Sequence, residues 1–276
     1  MRRHTLDVKK LKEPTYFSEI SAQQFRIEAE KYTIRALNPD DGGDFDMTKT
    51  TQKEVVFAGL PSEEIITVQD KLLELGIYPE RLELGTLATI GGMVNYLKFK
   101  QTKTPLLLLE IGEELTQSFI VSADGLDISR PIPSGIAAMI PVVQKELGLK
   151  DEESAKKLFY SNTFDFTSMG GNLIKKLLKE LQSSIGFYEV QTGQSIGNVL
   201  CTQLPASLGW LGTTMAGALG VTPLKMDMQP WLESLNIKLA EGVSPNPPDE
   251  RWAGLFALMA SYNPTDGVQP VTTEKK

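Results

Sequence analysis

Cysteine and histidine are almost missing from this 276-residue chain, where Cys201 and His4 are the sole examples. One cysteine excludes an internal disulfide framework and any cysteine-rich zinc site. One histidine excludes the paired histidines of a zinc-protease helix, and a histidine-based triad would depend on a residue beside the N-terminus. The chain has no Gly-Lys dipeptide, so a Walker A loop is absent, and no G-x-G-x-x-G follows a strand-like run. Long apolar runs are lacking too. The most apolar stretches, 105–109 and 132–143, fall far short of the roughly 20 residues of a membrane span. The basic start lacks the apolar h-region of a secretory signal, so the cytoplasm is the expected location, with no direct membrane insertion. Positive charge is in deficit, 28 Lys+Arg against 35 Asp+Glu for a formal charge of −7, and nothing advertises a nucleic-acid partner.

What is present is globular composition, 41% hydrophobic and 23% charged, in a chain long enough for two lobes or one large domain. Leu6 and Val8 alternate as a strand would, and Ser18 or Ser21 can cap a helix reaching Tyr32 through Phe25 and Ala29. Residues 38–46 (NPDDGGDFD) are dense in turn formers. Their four aspartates lack the spacing and closing glutamate of a calcium loop, so a solvated loop is expected. A buried strand over 53–60 leads into an amphipathic helix from Ser62, with Ile65, Val68, Leu72 and Leu75 on one face and Gly76 at its end. A second strand over 78–84 and a helix over 86–97 complete a β-α-β-α order, which predicts a mixed or parallel sheet covered by helices.

From Pro105 the pattern changes to three strand-like runs, 106–111, 116–121 and 126–133, with an Asp124-Gly125 turn between the last two. Helices follow over 135–147, 151–159 and 169–188, the last with Leu173, Leu177, Leu178, Leu181 and Ile185 facing inward. A buried strand over 196–201, a helix over 207–219, a strand over 221–226 and a helix over 250–261 close the series, and a disordered tail is expected over 263–276.

Two catalytic motifs fail on context. Gly193–Gly197 (GQSIG) matches the nucleophile elbow of hydrolases, but that turn needs a strand before its serine and a histidine downstream. Here a helix precedes it, a strand follows it, and no histidine comes later. Ser154–Lys157 is an S-x-x-K tetrad on a charged helix, which reads as a solvated face. One nucleotide-binding architecture needs neither a P-loop nor a Rossmann turn: two β-hairpin phosphate loops facing each other across a cleft. The run 106–130 has the form of one such hairpin, with Glu110-Ile111-Gly112 at the turn and Thr116 on the return strand. A glycine there lets backbone N–H groups approach a phosphate, and an acidic residue can hold a metal-bound water. An ordinary hairpin meander has the same outline.

The order of these pieces resembles the PilM type IV pilus assembly proteins, relatives of FtsA in the actin-like ATPase superfamily. Glu28–Tyr32 (EAEKY) is similar to the family's E-A-E-x-Y helix end, and Lys53–Leu60 and Leu72–Ile77 to the strand and the leucine-rich helix that follow. The hairpin at Leu108–Gly112 resembles the second phosphate loop, Ile132–Ile136 (IPSGI) the Gly-Gly helix start, and Glu180–Tyr188 (ELQSSIGFY) the E-I-x-R-S-I-x-Y-Y helix. The resemblance runs from Arg3 to about Ser261. It implies an α/β, actin-like (ribonuclease H-like) fold of two lobes, with 1–104 as the remainder of the first lobe and 105–262 as the second. It also marks Glu110, Gly112, Thr116, Gly135, Glu180 and Thr202 as vestigial nucleotide-binding positions.

The departures set the functional expectation. Glu110 stands where the family has aspartate, Ser183 replaces the helix arginine, and Thr202-Gln203-Leu204-Pro205 stands where a Thr/Ser-Gly-Gly-Gly adenosine loop belongs. Leu204 and Pro205 add bulk, and the proline removes a donor. The first phosphate hairpin, Asp-x-Gly-Ser, has no counterpart, so the first lobe is expected to be incomplete. The resemblance therefore implies a non-catalytic cytoplasmic scaffold with no catalytic residues, no bound metal and no firm need for ATP and magnesium. Such a scaffold would sit at the inner membrane through the cytoplasmic tail of a PilN-like protein and other pilus assembly proteins. A nucleotide-binding actin-like ATPase is the main alternative. The cytoplasmic half of a GspL-like type II secretion protein is another, although a membrane-spanning helix would be expected after its actin-like part.

Overall fold

The strand β4 (Leu106–Ile111) reads LLLLEI and is buried at every residue, because strands flank it on both sides and helices cover both faces. The computed structural model that defines these contacts describes residues 1–13, 15–46, 53–161, 163–240 and 249–261. The tail expected over 263–276 lies outside the described residues.

β4 belongs to a five-stranded sheet with β5 (Thr116–Ser122), β6 (Gly125–Ile132), β7 (Asn198–Thr202) and β8 (Thr222–Pro223), in the order β6-β5-β4-β7-β8. β4, β5 and β6 form an antiparallel meander, as the alternation and the Asp-Gly turn predict. β7 and β8 add in parallel on the other side of β4, after crossovers through helices. Successive leucines of β4 point to opposite sides, as a two-residue period requires. Leu107 and Leu109 join the core under α4 (Ile140–Leu147), α5 (Glu152–Tyr160), α6 (Gly170–Thr192) and α7 (Trp210–Leu219). Leu106 and Leu108 join the opposite core, under α3 (Gly85–Phe99), α8 (Met228–Ser234) and α9 (Ala253–Ser261). Each such leucine, fully buried, contributes roughly 1.5–3 kcal/mol.

A second, three-stranded sheet comes from the first third of the chain. β1 (Arg2–Thr5) and β2 (Tyr32–Leu37) both pair antiparallel with the central β3 (Glu54–Pro61). β3 again divides its side chains. Val56 and Ala58 enter the α3 core, while Val55 and Phe57 pack with Tyr16 and Ile20 of α1 (Tyr16–Ile20) and with Phe45. Arg3 ties β1 to the larger sheet, donating to the carbonyls of Leu126 and Asp127 and pairing with Glu54. Asp127 in turn accepts from the Tyr188 hydroxyl of α6 at 2.8 Å.

Several elements depart from their predicted form. The sheet in the first third is antiparallel, not mixed or parallel, because residues 78–84 form no strand. Pro79 cannot donate to a ladder, and Tyr78 is 83% exposed. The helix expected to reach Tyr32 stops after α1 and one π-helical turn, Ser21–Phe25, where Arg26 takes φ 56°. Tyr32 instead opens β2, whose residues alternate in exposure. β1 ends at Thr5, before the Leu6–Val8 alternation, although Leu6 is buried and bonds to the Lys53 carbonyl.

The helix α2 (Ser62–Glu74) forms where predicted and closes at Gly76, with Gly76 N–H donating to Leu73 O and Ile77 N–H to Leu72 O. Its apolar face, however, buries no residue. β8 is two residues long in place of the predicted six. α8 was not anticipated; Trp231 is fully buried there, and its indole N–H donates to Asn95 of α3 at 2.7 Å.

Candidate functional site

The end of β4 gathers most of the residues singled out from the sequence. Glu110 is only 5% exposed, and its Oε2 accepts from the Thr86 hydroxyl at the start of α3 at 2.7 Å. Burial raises its pKa above the usual glutamate value; the bonds from Thr86 and Gln203 and the nearby Met1 amino charge oppose the rise. Thr202 faces Glu110 across the parallel β4–β7 pairing and is buried. Thr116, at the start of β5, has no exposed surface and donates to the Ser134 carbonyl at 2.7 Å.

The turn between β4 and β5 is closed on itself. The Gly112 N–H donates to Leu115 O at 3.0 Å, so it is engaged within the hairpin. Ile136 and Ala137 N–H groups donate to the Gly112 and Glu113 carbonyls at 3.0 and 2.8 Å. Gly135 lies so close beneath the turn that any Cβ there would run into those same two carbonyls. At the tip, Glu113 accepts from the Tyr160 hydroxyl at 2.6 Å and pairs with Lys156 at 2.9 Å. These contacts, Tyr160's first, hold the Glu113 carboxyl below its ordinary value and therefore ionised, while burial, and then the bond to Glu113, pushes the Tyr160 phenol up to about 12.

Glu110, Gly112, Thr116, Gly135 and Thr202 are thus brought to one end of the five-stranded sheet. Glu180 is placed elsewhere. It sits on α6 and pairs at 2.6 Å with Arg130 of β6, whose guanidinium also donates to Ser184 at 2.6 Å. Beyond Thr202 the chain turns through Gln203 at φ 62° into Leu204 and Pro205, and the Leu204 side chain packs on the α6–α7 core. The single cysteine lies on β7, where burial pushes its thiol up to about 12 and keeps it protonated near neutral pH. Among the described residues, no three His, Cys, Asp or Glu side chains come together as a metal cluster.

A second feature escaped the sequence reading: a groove of ≈ 1120 Å³ between the small sheet and α3. One wall is the face of β2 and β3 that carries Thr33, Arg35 and Leu37 opposite Leu60, Ala58 and Val56. Leu87, Ile90 and Val94 of α3 form the other wall, residues 80–84 close one rim, and the aspartate-rich loop 38–44 closes the other. Among the described residues β2 is an edge strand; the 43–45 segment meets its outer side at Ala36 and Leu37, with Phe45 N–H donating to Ala36 O at 2.9 Å, and no strand pairs there from Tyr32 to Arg35. The 38–44 loop is a loop, as predicted, and it is pinned. The Pro39 carbonyl accepts from Leu126 N–H at 3.1 Å, and Gly125, at φ 137°, lies against the Pro39 backbone where a Cβ would not fit. The signal in the sequence is the alternation of Thr33, Arg35 and Leu37, which lies between the helix expected to reach Tyr32 and the 38–46 loop.

No protein-family model matches the sequence, and no curated protein matches it at a significant level. Solved structures do. The chain is similar to a structure of a PilM-PilN type IV pilus biogenesis complex, with 17% sequence identity over 95% of this chain and 75% of that one and a TM-score of 0.59. A Bacteroides thetaiotaomicron protein with an actin-like ATPase fold and unknown function matches over 80% of this chain and 63% of that one, at 8% identity and a TM-score of 0.42. An archaeal actin homolog matches over 62% of this chain and 53% of its own, at 10% identity and a TM-score of 0.39. The chain has an α/β, actin-like fold. The β6-β5-β4-β7-β8 order, a three-stranded meander extended by parallel strands, is its ribonuclease H-like core. No helix among the described residues is long and apolar enough to cross a membrane.

Proposed function

We propose that this protein is a non-catalytic, cytoplasmic scaffold of a type IV pilus inner-membrane assembly complex. In this reading it takes the cytoplasmic tail of a PilN-like protein in the groove between the β1-β3-β2 sheet and α3. The observation that carries the proposal is the groove itself: an apolar floor of Val56, Ala58, Ile90 and Val94 beside β2, whose outer edge is open from Tyr32 to Arg35 among the described residues. An extended apolar segment can lay side chains on that floor and align its backbone with β2. Arg35 and Lys98 offer cationic groups in the same groove, and the 38–44 loop offers carboxylates, so a segment with both charges would have a preferred direction. The similarity in fold to a chain of a PilM-PilN complex supports this choice of partner. Other pilus assembly proteins would join through the remaining surface.

The end of β4 argues against hydrolysis of a nucleotide. Its turn presents the carboxylate of Glu113 where an anion would approach, and its Gly112 amide is engaged within the hairpin. Glu110 is turned to Thr86, and its raised pKa lowers its value as a ligand for a cation. These residues do not fit a magnesium-bound triphosphate. Isothermal titration with a PilN-type N-terminal peptide tests the main reading, and no heat at high micromolar peptide sinks it. A parallel titration with ATP and magnesium tests the alternative; saturable millimolar-range binding would revive the nucleotide reading.

A further inference from the structure

The helix α2 turns Ile65 toward the groove and leaves Leu72 half-buried, yet its opposite flank also carries large aliphatic side chains in solvent. Ile66 is 55% exposed and Leu73 40%, and past the end of the helix Leu75, Ile77 and Tyr78 are exposed as well. At helical spacing, Ile66, Gln69 and Leu73 lie on one line along α2. Glu63, Asp70 and Glu74 form a second line beside it. Among the described residues none of these three carboxylates is in an ion pair. Across 62–84 acidic residues outnumber basic ones six to two. Two exposed aliphatic side chains beside a line of unpaired carboxylates, on a segment with an excess of acidic charge, suit a contact surface.

We propose that this face of α2 docks a cationic amphipathic helix of a partner protein. Aliphatic side chains of that helix would cover Ile66 and Leu73, and its lysines or arginines would meet Glu63, Asp70 and Glu74. The charge selects this occupant over two others. A second copy of the chain would set one acidic line against another, and an anionic membrane surface would be repelled. The face is separate from the groove: Ile65, on the other flank of α2, lines the groove, whereas Ile66 and Leu73 do not. Both surfaces can therefore be occupied at once, and the two proposals stand or fall separately.

The test is fluorescence anisotropy of the full chain with a labelled synthetic helix of leucine and lysine, amphipathic at heptad spacing. Its controls are a scrambled peptide of the same composition and a leucine–glutamate analogue. The leucine–lysine helix is expected to bind with an affinity that falls as salt rises. The double variant Ile66→Gln/Leu73→Gln should weaken it at least about tenfold. The triple variant Glu63→Gln/Asp70→Asn/Glu74→Gln should remove most of the salt dependence, with melting temperature unchanged in both. The groove variant Val94→Asp should leave this affinity alone. Equal binding of the scrambled peptide, or full affinity in the double variant, overturns the proposal. A dimer in sedimentation, or binding to phosphatidylglycerol vesicles, that the double variant abolishes would assign the face to a different occupant and overturn it too.

Discussion

Thr86 and Glu110 are joined by a 2.7 Å hydrogen bond that links the first turn of α3 to the end of the most buried strand in the molecule. The bond gives the carboxylate one partner but does not remove the cost of its burial, because its pKa still lies above the ordinary value. A carboxyl with a raised folded-state pKa binds protons more readily when folded, so it costs stability at neutral pH, and the cost shrinks as the pH falls toward the unfolded value. Glu110→Gln keeps an acceptor for Thr86 and removes the charge. Thermal melts should show the variant more stable than the parent at pH 7. The difference should narrow as the pH drops toward about 4.3, the ordinary glutamate value. A variant less stable at pH 7 would mean that the ionised carboxylate has a partner strong enough to offset its burial.

Gly135 provides the opposite case, where the smallest addition should do harm. A Cβ in place of one of its Cα hydrogens would meet the Gly112 and Glu113 carbonyls, both backbone groups that cannot swing aside. Gly135→Ala is expected to cost about 2–4 kcal/mol in urea denaturation, within the range of backbone and overpacking defects. Gly171→Ala, at an exposed helical position with open space around it, is the matched control and should be neutral or slightly stabilising.

In the groove, Val94 is half-buried on the α3 wall. Val94→Asp should weaken a PilN-type peptide by at least about tenfold, that is by about 1.4 kcal/mol, while the melting temperature moves little. Arg35→Glu, on the facing strand, should alter the salt dependence of the same titration. Unchanged peptide affinity in both variants would remove the peptide from this groove.

Glu180 was grouped with the nucleotide positions by resemblance, but its partner is Arg130, and both side chains are about two-fifths exposed. Exposed pairs of this kind contribute about 0–1 kcal/mol. Glu180→Gln should therefore lower stability by no more than about 1 kcal/mol and leave peptide binding unaltered. A larger loss would show that the pair, with Ser184, acts as one network clamping α6 to β6.

Cys201 offers a readout of the folded core. With its thiol pushed up to about 12, it should resist a thiol reagent at pH 8 until denaturant exposes it. Rapid labelling of the native protein would show that β7 opens easily.

The larger sheet was legible because its signals are local. β4, β5 and β6 are apolar runs separated by short turns, and Asp124-Gly125 supplies the turn chemistry that fixes their pairing. The first third was harder to read, for identifiable reasons. Tyr32–Leu37 alternates as an edge strand does, but Phe25, Ala29 and Tyr32 also satisfy a helical spacing, and only the left-handed Arg26 breaks the tie. Periodicity located α2 correctly. It cannot say how far the same chain covers the apolar face: here Ile65 and Leu72 are half-buried while Val68 and Leu75 are exposed. α8 was hidden by Pro230, which reads as a breaker yet stands in the first turn, where a missing N–H costs nothing. Among the candidate site residues, those at strand ends were brought together by the sheet. Glu180 was carried away by the register of a long helix, which no short motif records.

The contact of Arg3 with Leu126 and Asp127 has a bearing on how the chain is made. β1 is anchored to residues more than 120 positions later, so it can complete its contacts only after β6 has emerged. Until then the β1-β3-β2 sheet must hold without its tie to β6, and the face that meets α3 stays open to other chains until α3 has followed. Newly made protein is therefore most exposed to misassembly between the synthesis of β3 and that of β6, an interval in which a holding chaperone would have the most to protect.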